Sequence, residues 1–166
     1  MRFQFVTLVL CSLLPTLGRT QSSWDRYQPG TVAAIMNRER AAILEHFRTG
    51  TESNIVISGA DFATRATAQY QDSMRATPEG DLHLLEGWAR AFRMPIDARR
   101  LFGREVLIRE DTLLLWLAVQ DTVAHVMRQD LHKGDAILLF VVYLGAYGGR
   151  GPDINWVFAI NDYQLK

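Results

Sequence analysis

The chain is nearly free of thiols and of lysine: Cys11 is its one cysteine, and Lys133 and Lys166 are its two lysines, in 166 residues. Without cysteine beyond position 11 there is no disulfide framework, no Cys-ligated zinc and no cysteine nucleophile. Positive charge is therefore carried almost wholly by arginine, a bias that a GC-rich genome explains without any functional demand. Arginine's preference for bidentate contacts to carboxylate or phosphate is the competing explanation. Neither sign of charge is in excess, with 18 Lys+Arg against 18 Asp+Glu. That balance gives no basic footprint for nucleic acid or for an anionic membrane surface.

Catalytic and metal motifs are scarce as well. The histidines at 46, 83, 125 and 132 show neither the i, i+4 spacing of a helical zinc site nor an H-E-x-x-H pattern. They read as exposed helix-face residues, and no metal or cofactor is expected. Ser58-Gly59 follows a β-branched stretch but lacks the preceding glycine of a nucleophile elbow. No Gly-Lys-Ser/Thr ending marks a phosphate loop. Glu105 and Glu110 fall on opposite faces of one strand by parity, so they are poor partners for each other. The sequence points to no catalytic set.

What is present begins with the first twenty residues. Arg2 precedes an apolar run from Phe3 to Leu17, broken by Gln4, Thr7, Ser12, Pro15 and Thr16, and small residues follow. This is the pattern of a secretory signal peptide over residues 1–20, with cleavage expected after Gly18 or Thr20. The run is short of the roughly 20 apolar residues that cross a bilayer, so no stable membrane span is expected after cleavage. Leu10 stands where lipid attachment at Cys11 would need a small residue. Losing Arg2 and Arg19 with the leader leaves 16 basic against 18 acidic residues, a net charge of −2.

Residues 21–166 suit a single globular α+β domain. Thr31 can cap a helix to about Phe47, with Val32, Ile35, Met36, Ile43 and Phe47 on one stripe. Asn54–Ser58 and Phe62–Gln71 read as strands, the second by its period-two alternation. Thr77-Pro78-Glu79 supplies a cap, a proline and an acid for a helix that Met94-Pro95 ends, and Asp97 caps a short turn. Two strands flank Asp111 as a hairpin. Asp121 can cap a helix with Val123, Val126, Met127 and Leu131 inward, which Lys133-Gly134-Asp135 breaks. Ala136–Gly145, apolar on both faces, should be a central strand, and a glycine-rich turn leads to a last strand at Ile154–Ile160. A mostly antiparallel sheet, curled into a small barrel and covered by two or three helices, satisfies this order.

Within that frame Tyr147, Gly149 and Arg150 on the glycine-rich tip are the candidate ligand-binding residues. Glycine allows close backbone approach, while an aromatic and an arginine on a loop make adaptable contacts. The competing role for the tip is a plain hairpin turn. Trp88, Trp116 and Trp156 are expected in the core, and Trp24 is left open between docking and a partner contact. The leading functional expectation is an exported, periplasmic or extracellular, non-catalytic binding or interaction module. Its partner would be an unknown protein or a small ligand. The alternative is a small secreted, cofactor-independent hydrolase using scattered Asp, Glu and His. A homo-oligomer built through an exposed sheet edge is a third possibility.

Overall fold

The computed structural model describes residues 25–49, 54–59, 63–95, 97–148 and 153–166. The leader with Cys11, as well as Trp24, Gly149 and Arg150, lies outside the described residues. In chain order the elements are β1 (Gln28–Pro29), α1 (Val32–Thr49), β2 (Ile55–Ile57), β3 (Ala63–Ala76), α2 (Glu79–Ala91) and α3 (Ala98–Leu101). They continue with β4 (Arg104–Glu110), β5 (Leu113–Val119), α4 (Asp121–Asp130), β6 (Ala136–Gly148) and β7 (Ile154–Leu165). The fold is α+β: the strands form one seven-stranded mixed sheet in the order β1-β3-β4-β5-β7-β6-β2. Among the described residues no helix is long and apolar enough to cross a membrane.

The sheet closes because β3 serves two neighbours. Its first half pairs with β6, Ala63 opposite Val142 through Gln69 opposite Ala136. Its second half pairs with β4 from Gln69 opposite Arg109 onward, across a bulge between Tyr70 and Met74 where Asp72 takes φ 52°. A bulge of this kind bends a strand and increases its twist. The hydrogen-bonded ring β3-β4-β5-β7-β6 is thereby completed through five strands. β6 is central, as its two apolar faces require, with β3, β7 and β2 all paired to it.

Both faces of the sheet are covered. Tyr70, Ile108, Leu117, Ile137 and Phe158 point to one side, where Ile35 and Ile43 of α1 and Met127 of α4 join them. Phe140, Val142, Leu144 and Val157 point to the other, beneath Leu84 and Leu85 of α2 and Ala98 of α3. Gly145 makes the switch in parity near the end of β6. It stands at φ 146°, and a Cβ there would lie 2.1 Å from the Val56 carbonyl oxygen of β2. Only glycine permits that crossing. β6 therefore runs through Gly145 to Gly148 rather than ending in a turn there.

Several local expectations are corrected. Pro78 is the N-cap of α2 rather than its first helical residue, and Thr77 donates its hydroxyl to the Phe102 carbonyl. Gln120 precedes α4 where Asp121 was expected to cap. Val126 is exposed, and Ala124 takes the inward position beside Met127. α2 ends at Ala91, three residues before Met94. The Arg93 and Met94 amides return to the Arg90 and Ala89 carbonyls, with Arg93 at φ 53°. That is a Schellman closure with arginine in the place glycine usually holds.

α1 is fixed by a residue far away in sequence. Thr31 Oγ1 accepts from the Ala34 amide at 3.0 Å, and buried Glu110 of β4 accepts from the Val32 and Ala33 amides, both at 2.9 Å. Three otherwise orphaned donors of the first turn are thus satisfied, and an acidic group sits at the positive end of the helix dipole. Replacing Glu110 by alanine should cost about 3 kcal/mol of unfolding free energy, because two amides lose a charge-assisted acceptor. Denaturant unfolding of Glu110→Ala against the parent measures it; a loss below about 0.5 kcal/mol, ordinary for a surface change, would show the cap to be unimportant.

Candidate functional site

β5 and β7 run parallel but pair only at Ala118 with Ala159 and Val119 with Ile160. Upstream of those pairs the two strands part. A cleft of about 470 Å³ occupies the gap, with Leu115, Trp116, Trp156 and Phe158 on its walls and Arg75, Asp81, Glu105 and Tyr147 at its polar side. Trp116 and Trp156 are half-buried and line this cleft; Trp156 also packs on the core, its ring 5.9 Å from that of Tyr143, whereas Trp116, expected in the core, lies under Arg75.

The polar side is built by three elements. Arg75 and Glu105 are directly opposed across β3 and β4, and Arg75 Nε donates to Glu105 Oε2 at 2.6 Å. The same guanidinium lies over the Trp116 ring, 4.4 Å from its centroid. Asp81, from the first turn of α2, lines the same polar side as a second acid beside Glu105. The hydroxyl of Tyr147, near the end of β6, donates to Asp81 Oδ1 at 2.7 Å. Glu105 is 1% exposed and Asp81 8%, whereas the Arg75 side chain is 45% exposed and stands at the mouth.

A buried carboxyl beside a second acid loses the hydration that would stabilise its charge, so its neutral form is favoured. Burial first, and the neighbouring Asp81 carboxyl second, push Glu105 up to about 8 against the opposing pull of Arg75. Burial, with Asp81 next, also raises the Tyr147 phenol, which remains a donor.

Of the expected ligand-binding residues, Tyr147 belongs to this cleft, while Gly149 and Arg150 lie outside the described residues. All four histidines are exposed and none lines the cleft; His83 pairs with Glu79 at 2.9 Å. Ser58 stands just past β2, its amide donating to the Leu144 carbonyl at 2.8 Å. Glu105 and Glu110 do separate by parity, one into the cleft and one onto α1. Asp81 carried a signal that motif searching passes over. It sits on the same helical stripe as Leu84, Leu85 and Ala89, and all four are buried. An acid on an apolar stripe must meet a partner. Comparison with known protein families, curated proteins and solved structures finds no match.

Two outcomes follow. Because Glu105 is raised in the folded chain, its contribution to stability is complete below its unfolded value near 4.5 and declines as pH rises toward about 8. Melting temperature followed from pH 4 to 9 should fall across this window relative to Glu105→Gln, which is neutral throughout; parallel curves would contradict the raised Glu105. Second, a Cβ on Gly80 would lie 2.5 Å from the Tyr147 ring. Gly80→Ala should therefore expel that ring and change the Tyr147 resonances, and unchanged ring shifts would show that Tyr147 does not pack there.

Proposed function

We propose that this chain is an exported binding module that takes a small uncharged ligand with an aromatic or flat apolar body into the cleft between β5 and β7. The observation that carries this reading is the Arg75–Glu105 pair at the polar side of a cleft with aromatic walls. Among the described residues, the cleft's one cation therefore already has an acidic partner within the site. A charged ligand would leave a net charge in a half-dry site, which is costly, whereas a neutral one leaves the balance intact. Trp116 and Trp156 offer flat surfaces, and the carboxyl oxygens retain lone pairs that can accept from a ligand N–H or O–H. Export rests on the basic residue, short apolar run and small residues of positions 1–20.

Benzamide, benzoate and benzylamine, titrated separately, test the reading through the indole N–H signals of Trp116 and Trp156. Benzamide should shift both saturably, and Tyr147→Phe, which releases Asp81, should weaken it several-fold, in line with one hydrogen bond. No shift with any of the three, or tighter binding of either charged compound, would overturn it. N-terminal sequencing of the protein recovered outside the cytoplasm should begin at Arg19 or Gln21.

The second reading is a hydrolase, favoured by one feature: Glu105 held near neutral pH is suited to general acid work. Glu105→Gln separates the two. Benzamide affinity preserved within a few-fold supports binding, and turnover on an ester and amide panel that the substitution abolishes supports catalysis.

A further inference from the structure

A second hollow lies elsewhere beneath α2. About 450 Å³ opens between α2, α3 and the sheet, walled by Leu85, Trp88, Phe102, Val142, Leu144 and Ala159. Its volume falls in the range of small-molecule sites, and its lining is apolar except for Arg26, Gln120 and Asn161. These three belong to one polar chain that ends on Tyr27. Gln120 Nε2 donates to Asn161 Oδ1 at 3.4 Å, Asn161 Nδ2 donates to the Tyr27 hydroxyl at 2.6 Å, and Arg26 Nη2 donates to the same hydroxyl at 3.3 Å. The Arg26 guanidinium also lies over the Tyr27 ring, 5.2 Å from its centroid, so it is already committed within the protein. Gln120 is placed differently. It is half-buried at the start of α4, and its side chain makes no cap bond to that helix. One of its N–H groups serves Asn161, while the other and Oε1 have no partner among the described residues. Phe92 and Met94, also in the lining, are 46% and 39% exposed, and the Phe92 ring stands 5.1 Å from that of Trp88. Large apolar side chains exposed at the rim of an apolar cavity form a greasy portal.

We infer that this hollow is a separate binding site for a neutral alcohol, whose apolar body lies against Leu85, Trp88 and Leu144 and whose hydroxyl meets the Gln120 side-chain amide. The lining selects the head group. Among the described residues no Asp or Glu lines the hollow, so an ammonium would enter it without a counter-charge. A carboxylate would give up its hydration for a guanidinium that already serves Tyr27. A body with no polar end would strip water from the Gln120 amide and leave its open N–H and carbonyl oxygen unpaired. A hydroxyl both donates and accepts, so one small uncharged group can answer the carbonyl oxygen or the N–H. The site shares no lining residue with the carboxyl cleft and does not depend on a ligand there.

Octanol, methyl octyl ether, octanoate and octylamine, titrated separately into the full chain at neutral pH, test the assignment through methyl signals of Leu85, Val142 and Leu144 and through calorimetry. Octanol should bind saturably, shift those methyls, and bind at least about tenfold more tightly than octanoate or octylamine. The ether keeps an acceptor but has no O–H, so it should bind about fivefold more weakly than octanol, in line with one neutral hydrogen bond. Gln120→Leu should bring octanol down to the level of the ether while leaving the methyl shifts in place. Ala159→Leu should intrude on the hollow and weaken octanol and ether alike. Should that variant fail to fold, Gln120→Leu, at a half-buried position, still decides the matter. Absence of methyl shifts with octanol, equal or tighter binding of octanoate or octylamine, or an unchanged preference for octanol over the ether in Gln120→Leu would overturn the inference.

Discussion

The hydrogen bond that Tyr147 donates to Asp81 is the contact on which the functional half of the molecule turns. It joins the first turn of α2 to the end of β6, and Glu105 of β4 lines the same polar side. Three elements distant in sequence thereby meet at one end of the helix. Leu84 and Leu85 then lie along the sheet face formed by Phe140, Val142 and Leu144. The position of α2 decides what is left empty around it: the carboxyl cleft at its N-terminal turn and the apolar hollow beneath its later turns. Were Glu105 ionised beside Asp81, mutual repulsion would act on that anchor.

The barrel's incomplete pairing provides the rest. A sheet that pairs along its whole length leaves no room between neighbouring strands. Here β5 and β7 keep only two residue pairs, and the unpaired length becomes a wall of aromatic side chains. Glu110 performs the complementary task on the opposite face, holding the first turn of α1 against β4. β4 thus presents an acid to each side at positions of opposite parity, Glu110 to α1 and Glu105 to the cleft. This alternation follows directly from the two-residue period of a strand.

Much of the architecture is legible in local pattern. The apolar run at 137–144 demands a strand covered on both faces, Asp111 marks the hairpin, and Thr31 caps α1 as its position before the periodic stripe suggests. Where local reading fails, a distant partner decides. Thr77 looks like a cap but spends its hydroxyl on Phe102, and Gly145 looks like part of a turn until β2 is seen passing 2.1 Å from where its Cβ would be. The site was less legible. Tyr147 was identified for its glycine-rich surroundings, whereas its role here comes from Asp81, 66 positions away. Arg75, Asp81 and Glu105 carry no motif, because their proximity results from the β3–β4 register and the seating of α2. The one readable sign was an acid on each of two surfaces that must be buried.

The most direct measurement is a carbon-13 NMR titration of the Glu105 side-chain carboxyl in the folded protein. A midpoint near 8 is expected, because burial and the neighbouring Asp81 carboxyl disfavour the charged form of Glu105. A midpoint in the ordinary glutamate range, about 4–5, would mean that Glu105 is not enclosed beside Asp81 and that α2 is seated differently at its first turn.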